Sequence, residues 1–268
     1  MKDSLYQDPT VSQSRRLERL SWTEIAELQK KTNCLLVPVG ATEQHGPHLP
    51  INTDSVIAEK VCDYASGKTG VPVLPVMAYS VSAGHTTKWT GTFSMSHATF
   101  IEAIKDLVGF AVETGWRRVV LLNAHMGNDA SLRVAVDVLR VKYLGQLQIV
   151  VVNSFTLSDE IWQYFISDAA DLHANKGETD LMLHLAPDTV RMEVVEDDSD
   201  RTTATVFSYP VSQTSLNGVT GNPSEGSAAQ GAWLFEMMGE ALASLLERAL
   251  EEEPPLPKSA WEGTGFSF

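Results

Sequence analysis

The chain has 268 residues, with 34 acidic against 20 basic side chains, a net charge of −14 and a pI near 4.9. A chain of this length buries a sizeable core and fits one large domain better than two small ones. The acidic balance, with no local basic patch, excludes nucleic acid and anionic membranes as partners.

In chain order, Met1 to Leu5 lacks the apolar core of a signal peptide, and no apolar run reaches the roughly 20 residues that cross a bilayer. Residues 1–20, with Arg15, Arg16 and Arg19, read as a polar N-terminal arm. Cys34-Leu35-Leu36-Val37-Pro38-Val39 is a short apolar run ended by Gly40, the pattern of a strand covered on both faces. Thr53 or Asp54 then caps a helix with Val56, Ile57, Val61 and Tyr64 on one face. Val71 to Met77 reads as a second strand, and Pro72 and Pro75 place it at an edge or on an irregular path. Ser96 caps a helix carrying Phe100, Ile104, Leu107 and Val108, and Gly115 ends it.

Arg118 to Asn123 is the clearest strand. Asp129 to Tyr143 carries Leu132, Val136 and Leu139 at helical spacing, and Gln148 to Asn153 is a further strand. Helices are expected from about Ser158 to Ile166, after Gly177, and from about Ala228 to Glu252, followed by a tail over 254–268. Between Pro187 and Ser227 the pattern weakens into loop-like sequence. The acidic runs Glu193 to Asp200 and Glu251 to Glu253 read as solvated surface. Two cysteines, Cys34 and Cys62, are too few for a disulfide framework and point to a reducing, cytoplasmic compartment. The alternation predicts an α/β fold, one domain over 1–268, built around a mainly parallel sheet.

In such a sheet the loops after the strands carry the chemistry. Glu43-Gln44-His45-Gly46-Pro47-His48, with Asp54, follows the first strand, and Asn123-Ala124-His125-Met126-Gly127-Asn128 follows the clearest one. A third cluster, His173 to Thr179 with Glu178, opens a predicted helix. Each alone has an ordinary reading: a turn, a satisfied loop histidine, an acid complementing a helix N-terminus. Together they supply the carboxylate and imidazole set that suits zinc, manganese or iron(II), with a carboxylate able to bridge a pair of ions.

The segment Val37 to Pro50 with Thr53-Asp54 resembles the opening signature of the creatininase (creatinine amidohydrolase) family. Asn123 to Asn128, His173 to Thr179 and Gly218-Val219-Thr220-Gly221-Asn222-Pro223 are similar to three later segments of that family, so the resemblance spans nearly the whole chain. It implies a three-layer α/β sandwich, a two-metal amidohydrolase and a homo-oligomer, usually a hexamer. By resemblance, Glu43 and His125 bind one ion, His45 the other, and Asp54 bridges both. Creatininase draws a further ligand from a Glu two residues after the histidine matching His125. Here that position is Gly127, and Glu178 is assigned as the replacement.

Two divalent cations bring the pKa of a bridging water toward neutrality and polarise a carbonyl. His173, matching an active-site histidine of the family, is the candidate for moving a proton to the departing nitrogen, or else it orients Glu178. His85 and Trp89 lie in a segment resembling a loop near the family's active site, and Trp162 is a candidate substrate contact, although core is the commoner role for an isolated Trp at helical spacing. The expected substrate is a small cyclic or linear amide, with creatinine as the named candidate and a formamide or a small peptide as alternatives. A nucleotide-binding or purely structural protein is disfavoured, since no phosphate-cradling glycine motif follows the first strand.

Overall fold

The computed structural model describes residues 15–261. Five strands, β1 (Arg15–Arg16), β2 (Cys34–Val39), β3 (Pro72–Val73), β4 (Arg118–Asn123) and β5 (Gln148–Asn153), form one sheet in the order β1-β3-β2-β4-β5 with every pairing parallel. All six residues of β2 are buried, as an apolar run between two neighbours should be. Eight α-helices accompany the strands among the described residues: α1 (Trp22–Gln29), α2 (Thr53–Thr69), α3 (His97–Glu113), α4 (Asp129–Lys142), α5 (Asp159–Phe165), α6 (Lys176–Leu185), α7 (Val211–Thr214) and α8 (Ala228–Glu251).

Strand side chains alternate between two cores, which makes the fold three-layered. Cys34, Leu36, Val120 and Leu122 pack on one face with Val61, Leu181 and Met238, from α2, α6 and α8. Leu35, Val37, Val119 and Leu121 pack on the other with Phe100, Ile104, Leu132 and Leu139, from α3 and α4. Helix α8 braces α6 closely, since a Cβ on Gly231 would stand 1.8 Å from the Asp180 carbonyl oxygen. That contact fixes the helix that carries Glu178.

Several sequence expectations are corrected. Residues 15–20 are not part of a polar arm: Arg15–Arg16 pairs with β3, Leu17 is buried, and the Arg16 Nε donates to Asp63 Oδ1 at 2.7 Å. The fully buried Asp63 explains this, because a carboxylate out of water needs a cation. The rest of the expected arm, and the tail beyond residue 261, lie outside the described residues. Strand β3 is only two residues long, because Pro75 has no N–H. Leu74 and Met77 still donate to β2 at 3.0 Å, so the chain continues irregularly alongside it.

Helix α2 begins at Thr53 behind Asn52, and neither Thr53 nor Asp54 caps it. Helix α1 escaped the sequence reading although its signal is present: Ser21 and Glu24 form a reciprocal capping box. Within the acidic run, Asp198 is not solvated. It accepts from Ser215 Oγ at 2.9 Å and Leu216 N at 2.7 Å, and pairs with Arg201.

Candidate functional site

Three segments supply the site. After β2, Glu43 N donates to Ile51 O at 2.8 Å and closes a loop whose tight turn uses Gly46 at φ 64°. This folds Glu43 and His45 back onto Asp54 in the first turn of α2. After β4, Asn123 grips His125 from both ends, accepting from its N–H at 3.2 Å and donating to its carbonyl at 2.7 Å. Before α6, His173 pairs with Thr220 across an antiparallel bridge, and the Asn175 side chain caps the helix on Glu178 N. Between them Ala174 sits at φ 49°, which aims its N–H at Glu178 Oε2, 2.6 Å away.

Asp54 lies at the centre. Its Oδ1 is 3.2 Å from His45 Nε2 and its Oδ2 is 3.3 Å from His125 Nδ1. Glu178 Oε1 approaches His45 Nε2 at 3.8 Å, and Glu43 Oε2 approaches His125 Nε2 at 3.3 Å. Glu43 Oε1 faces two more imidazoles, His173 Nδ1 at 3.4 Å and His85 Nδ1 at 3.5 Å. The far nitrogens of the two central histidines are held by backbone: His45 Nδ1 donates to Glu43 O at 3.1 Å and His125 Nε2 to Val81 O at 2.9 Å. In the neutral rings these bonds leave the lone pairs of His45 Nε2 and His125 Nδ1 turned toward Asp54.

The electrostatics suit a cation site. Burial pushes the Glu43 carboxyl up to about 7, with Asp54 adding to the rise and His125 opposing it. For Asp54 burial also raises, but His45 and His125 outweigh it and hold the group well below the ordinary carboxylate range. Burial opposes a charge on His125, yet Glu43 and Asp54 overcome it and lift the imidazole to about 9; the same balance with Asp54 and Glu178 raises His45. Both Glu43 oxygens and Asp54 Oδ2 are buried without a hydrogen bond of normal geometry. Buried carboxylate oxygens left bare in this way are costly unless a cation completes them. The donor chemistry therefore fits divalent metal ions, and clusters such as Glu43, His45 and Asp54, or His45, His173 and Glu178, each bring ligand atoms within 4.8 Å of one another.

These groups line a cleft of about 290 Å³, walled by Val81 to His85, Met126, Phe155, Leu172 and Tyr209 to Val211. Of the expected substrate contacts, His85 lines it. Trp89 is not among the lining residues; its ring lies under Lys88 Nζ, which donates to Ser215 O at 2.7 Å. Trp162 is not among them either, and packs on Phe155 within the core on the α2–α8 side. At Gly127 a Cβ would stand 2.5 Å from His125 Nε2 and 2.6 Å from Val81 O, so this placement of His125 excludes any side chain there. Sequence reasoning missed Ser82, 3.3 Å from His125 Nε2, and Gln44, whose amide reaches both His85 and His173. Gln44 stood inside the quoted motif, but an uncharged amide gave no signal of its own.

The chain is similar to known proteins over most of its length. The profile of the family described as "Creatininase: Creatinine amidohydrolase" matches residues 18–246. The mycofactocin precursor peptide peptidase of Mycolicibacterium smegmatis is 32% identical over 232 residues, covering 83% of this chain and 87% of that protein. The creatinine amidohydrolase of Pseudomonas putida is 27% identical over 266 residues, covering 91% of this chain and all 100% of that protein. A solved creatinine amidohydrolase (creatininase) superposes with a TM-score of 0.77 at 26% identity, covering 90% of this chain and 99% of that one. A manganese form of creatininase gives 0.76 at 25%, covering 89% and 100%.

Proposed function

The chain belongs to the creatininase family and is an amidohydrolase, and from that premise we propose that it hydrolyses the C–N bond of a small cyclic or linear amide with two divalent cations held in the cleft. The observation that carries the metal assignment is the set of bare, buried oxygens on Glu43 and Asp54 amid neighbouring imidazoles. Glu43 and His125 would hold one ion, His45 and Glu178 the other, with one oxygen of Asp54 toward each. Solved creatininases occur in Zn-Zn and Mn forms, which favours zinc or manganese here. Such ions, when bound, supply a water deprotonated near neutral pH and a polarised carbonyl.

The chain's own groups do the rest. The Glu43 and Val81 carbonyls hold the His45 and His125 rings in register. Burial keeps His173 neutral, with its pKa well below the ordinary imidazole value, so it can accept a proton during attack and deliver it to the departing nitrogen. The apolar wall of Phe155, Leu172 and Tyr209 to Val211 keeps bulk water from the reacting bond.

Creatinine is one candidate substrate. The 32% identity to a precursor-peptide peptidase favours a second, a short modified peptide cleaved by the same chemistry. A cytoplasmic homo-oligomer, hexameric as the family resemblance implies, completes the proposal. No helix of the described residues is long and apolar enough to cross a membrane.

The test is metal analysis of purified protein, followed by reconstitution with zinc, manganese or iron(II) and assay on creatinine, a formamide and short peptides. About two ions per chain and turnover of one substrate class are expected. A protein that takes up no divalent ion, or loses none on Asp54→Ala, would sink the proposal.

A further inference from the structure

Gln44 lies between the proposed ligands Glu43 and His45, is 4% exposed, and its side-chain amide reaches two cleft histidines. Its main-chain N–H donates to Thr92 Oγ1 at 3.0 Å, and its side-chain Oε1 accepts from the Gly46 N–H at 3.0 Å. The second bond settles which end of the amide is which: the NH₂ must point the other way. There it meets His85 Nδ1 at 3.0 Å, His173 Nε2 at 3.0 Å and Gly218 O at 3.3 Å. The fit leaves no slack, since a Cβ on Gly218 would stand 2.1 Å from Gln44 Oε1.

Two amide hydrogens face three atoms, and His173 resolves the competition. Its Nε2 lies 2.9 Å from the Gln44 carbonyl oxygen, an obligatory acceptor, so this nitrogen carries the proton. The amide hydrogens then go to His85 Nδ1 and Gly218 O, and both backbone carbonyls are satisfied. In the opposite tautomer His173 would donate from Nδ1 to Glu43 Oε1. That contact is 3.4 Å long, and Glu43 Oε1 has no hydrogen bond of normal geometry.

We propose that Gln44 is a positioning residue that fixes both cleft histidines in the Nε2–H form, His173 through its main-chain carbonyl and His85 through its side-chain amide. The consequence is a division of labour between two neutral rings. His173 turns a bare Nδ1 toward Glu43, as a proton acceptor. His85, whose Nε2 has no partner among the described residues, presents an N–H to the cleft for the substrate's oxygen or nitrogen.

The assignment rests on the amidohydrolase reading for its chemical use, and the proton count closes. Water loses a proton to His173 Nδ1 as the C–O bond forms. The C–N bond breaks, and the same proton passes to the departing nitrogen, so one water is added overall.

The test reads tautomers directly, by two-bond ¹H–¹⁵N spectra of histidine-labelled protein, both metal-free and zinc-loaded. Wild-type His85 and His173 should each show a protonated Nε2 and a bare Nδ1. In Gln44→Glu the amide donor becomes an acceptor, so His85 alone should switch to Nδ1–H while His173 keeps its form. Gln44→Met, which offers neither donor nor acceptor, should leave His85 mixed and serves where the Glu variant folds poorly. On any amide that the zinc-loaded wild type cleaves, kcat of Gln44→Glu should fall by about ten- to a hundredfold at unchanged zinc content, the scale of losing an aimed donor. An Nδ1–H form of either ring in the wild type, or a His85 indifferent to both substitutions, would overturn the inference. Correct tautomers without turnover of any amide would instead refute the hydrolase reading.

Discussion

Gly127→Ala is the sharpest probe of the His125 position, because it adds one methyl group and no charge. That methyl would stand 2.5 Å from His125 Nε2 and 2.6 Å from Val81 O, and the backbone at 127 is not in the left-handed region, so the effect is steric alone. Ordinary contact needs about 3.5 Å, which obliges the ring or the main chain at Val81 to retreat by about an ångström. Overpacking of this kind costs about 1–3 kcal/mol. Loss of the 2.9 Å bond from His125 Nε2 to Val81 O adds about 1 kcal/mol.

Metal-free Gly127→Ala should therefore melt about 5–10 °C below wild type. With its orienting carbonyl gone, His125 should hold an ion about tenfold or more weakly. Gly127→Glu, which restores the residue that creatininase uses, should be worse rather than better. Differential scanning fluorimetry and competitive zinc titration measure the two effects. Wild-type stability together with wild-type zinc affinity in Gly127→Ala would refute the reasoning.

Arg16→Met leaves the buried Asp63 carboxylate without its cation and should cost about 3–5 kcal/mol in urea unfolding, with Asp63→Asn in the same chain recovering part of it; a loss below about 1 kcal/mol would contradict the pairing. Cys34 and Cys62 are buried, and burial pushes the Cys34 thiol up to about 11 and Cys62 well above its usual value. A thiol-reactive chromophore at pH about 8 should label neither in the native protein and both after denaturation, and prompt native labelling would count against the packing. His48 is held down to about 4, by burial first and then by the charge of His45. Its neutral form is thus favoured by folding: the contribution is complete above the unfolded value near 6.5 and is lost as pH falls toward 4, up to about 3 kcal/mol. The stability difference between wild type and His48→Gln should shrink over that interval, and a constant difference would exclude the linkage.

The candidate ligand set was legible because its chemistry is concentrated. Carboxylates and imidazoles in loops directly after apolar runs mark themselves, and four strands of the sheet follow from runs such as Cys34 to Val39 and Arg118 to Asn123. What stayed hidden was decided by distant partners. Two arginines at 15–16 look like solvated charge until Asp63, buried 47 residues later, demands them. Asp198 looks equally solvated until Ser215 and Leu216 close on it. Trp162 has the type expected of a substrate platform, but its neighbour Phe155 draws the indole into the core. Gln44 carries no charge and joins no periodic pattern, so only the folded arrangement reveals what it touches.

The left-handed Ala174 makes the two halves of the centre unequal. By aiming its N–H at Glu178 Oε2 it engages one of that carboxylate's oxygens in the local turn, whereas both oxygens of Glu43 stay bare. A cation beside Glu178 would share its carboxylate with the backbone and should exchange more readily than one beside Glu43 and His125. Loading would then be sequential, with the labile position responding to metal supply long after the first has filled.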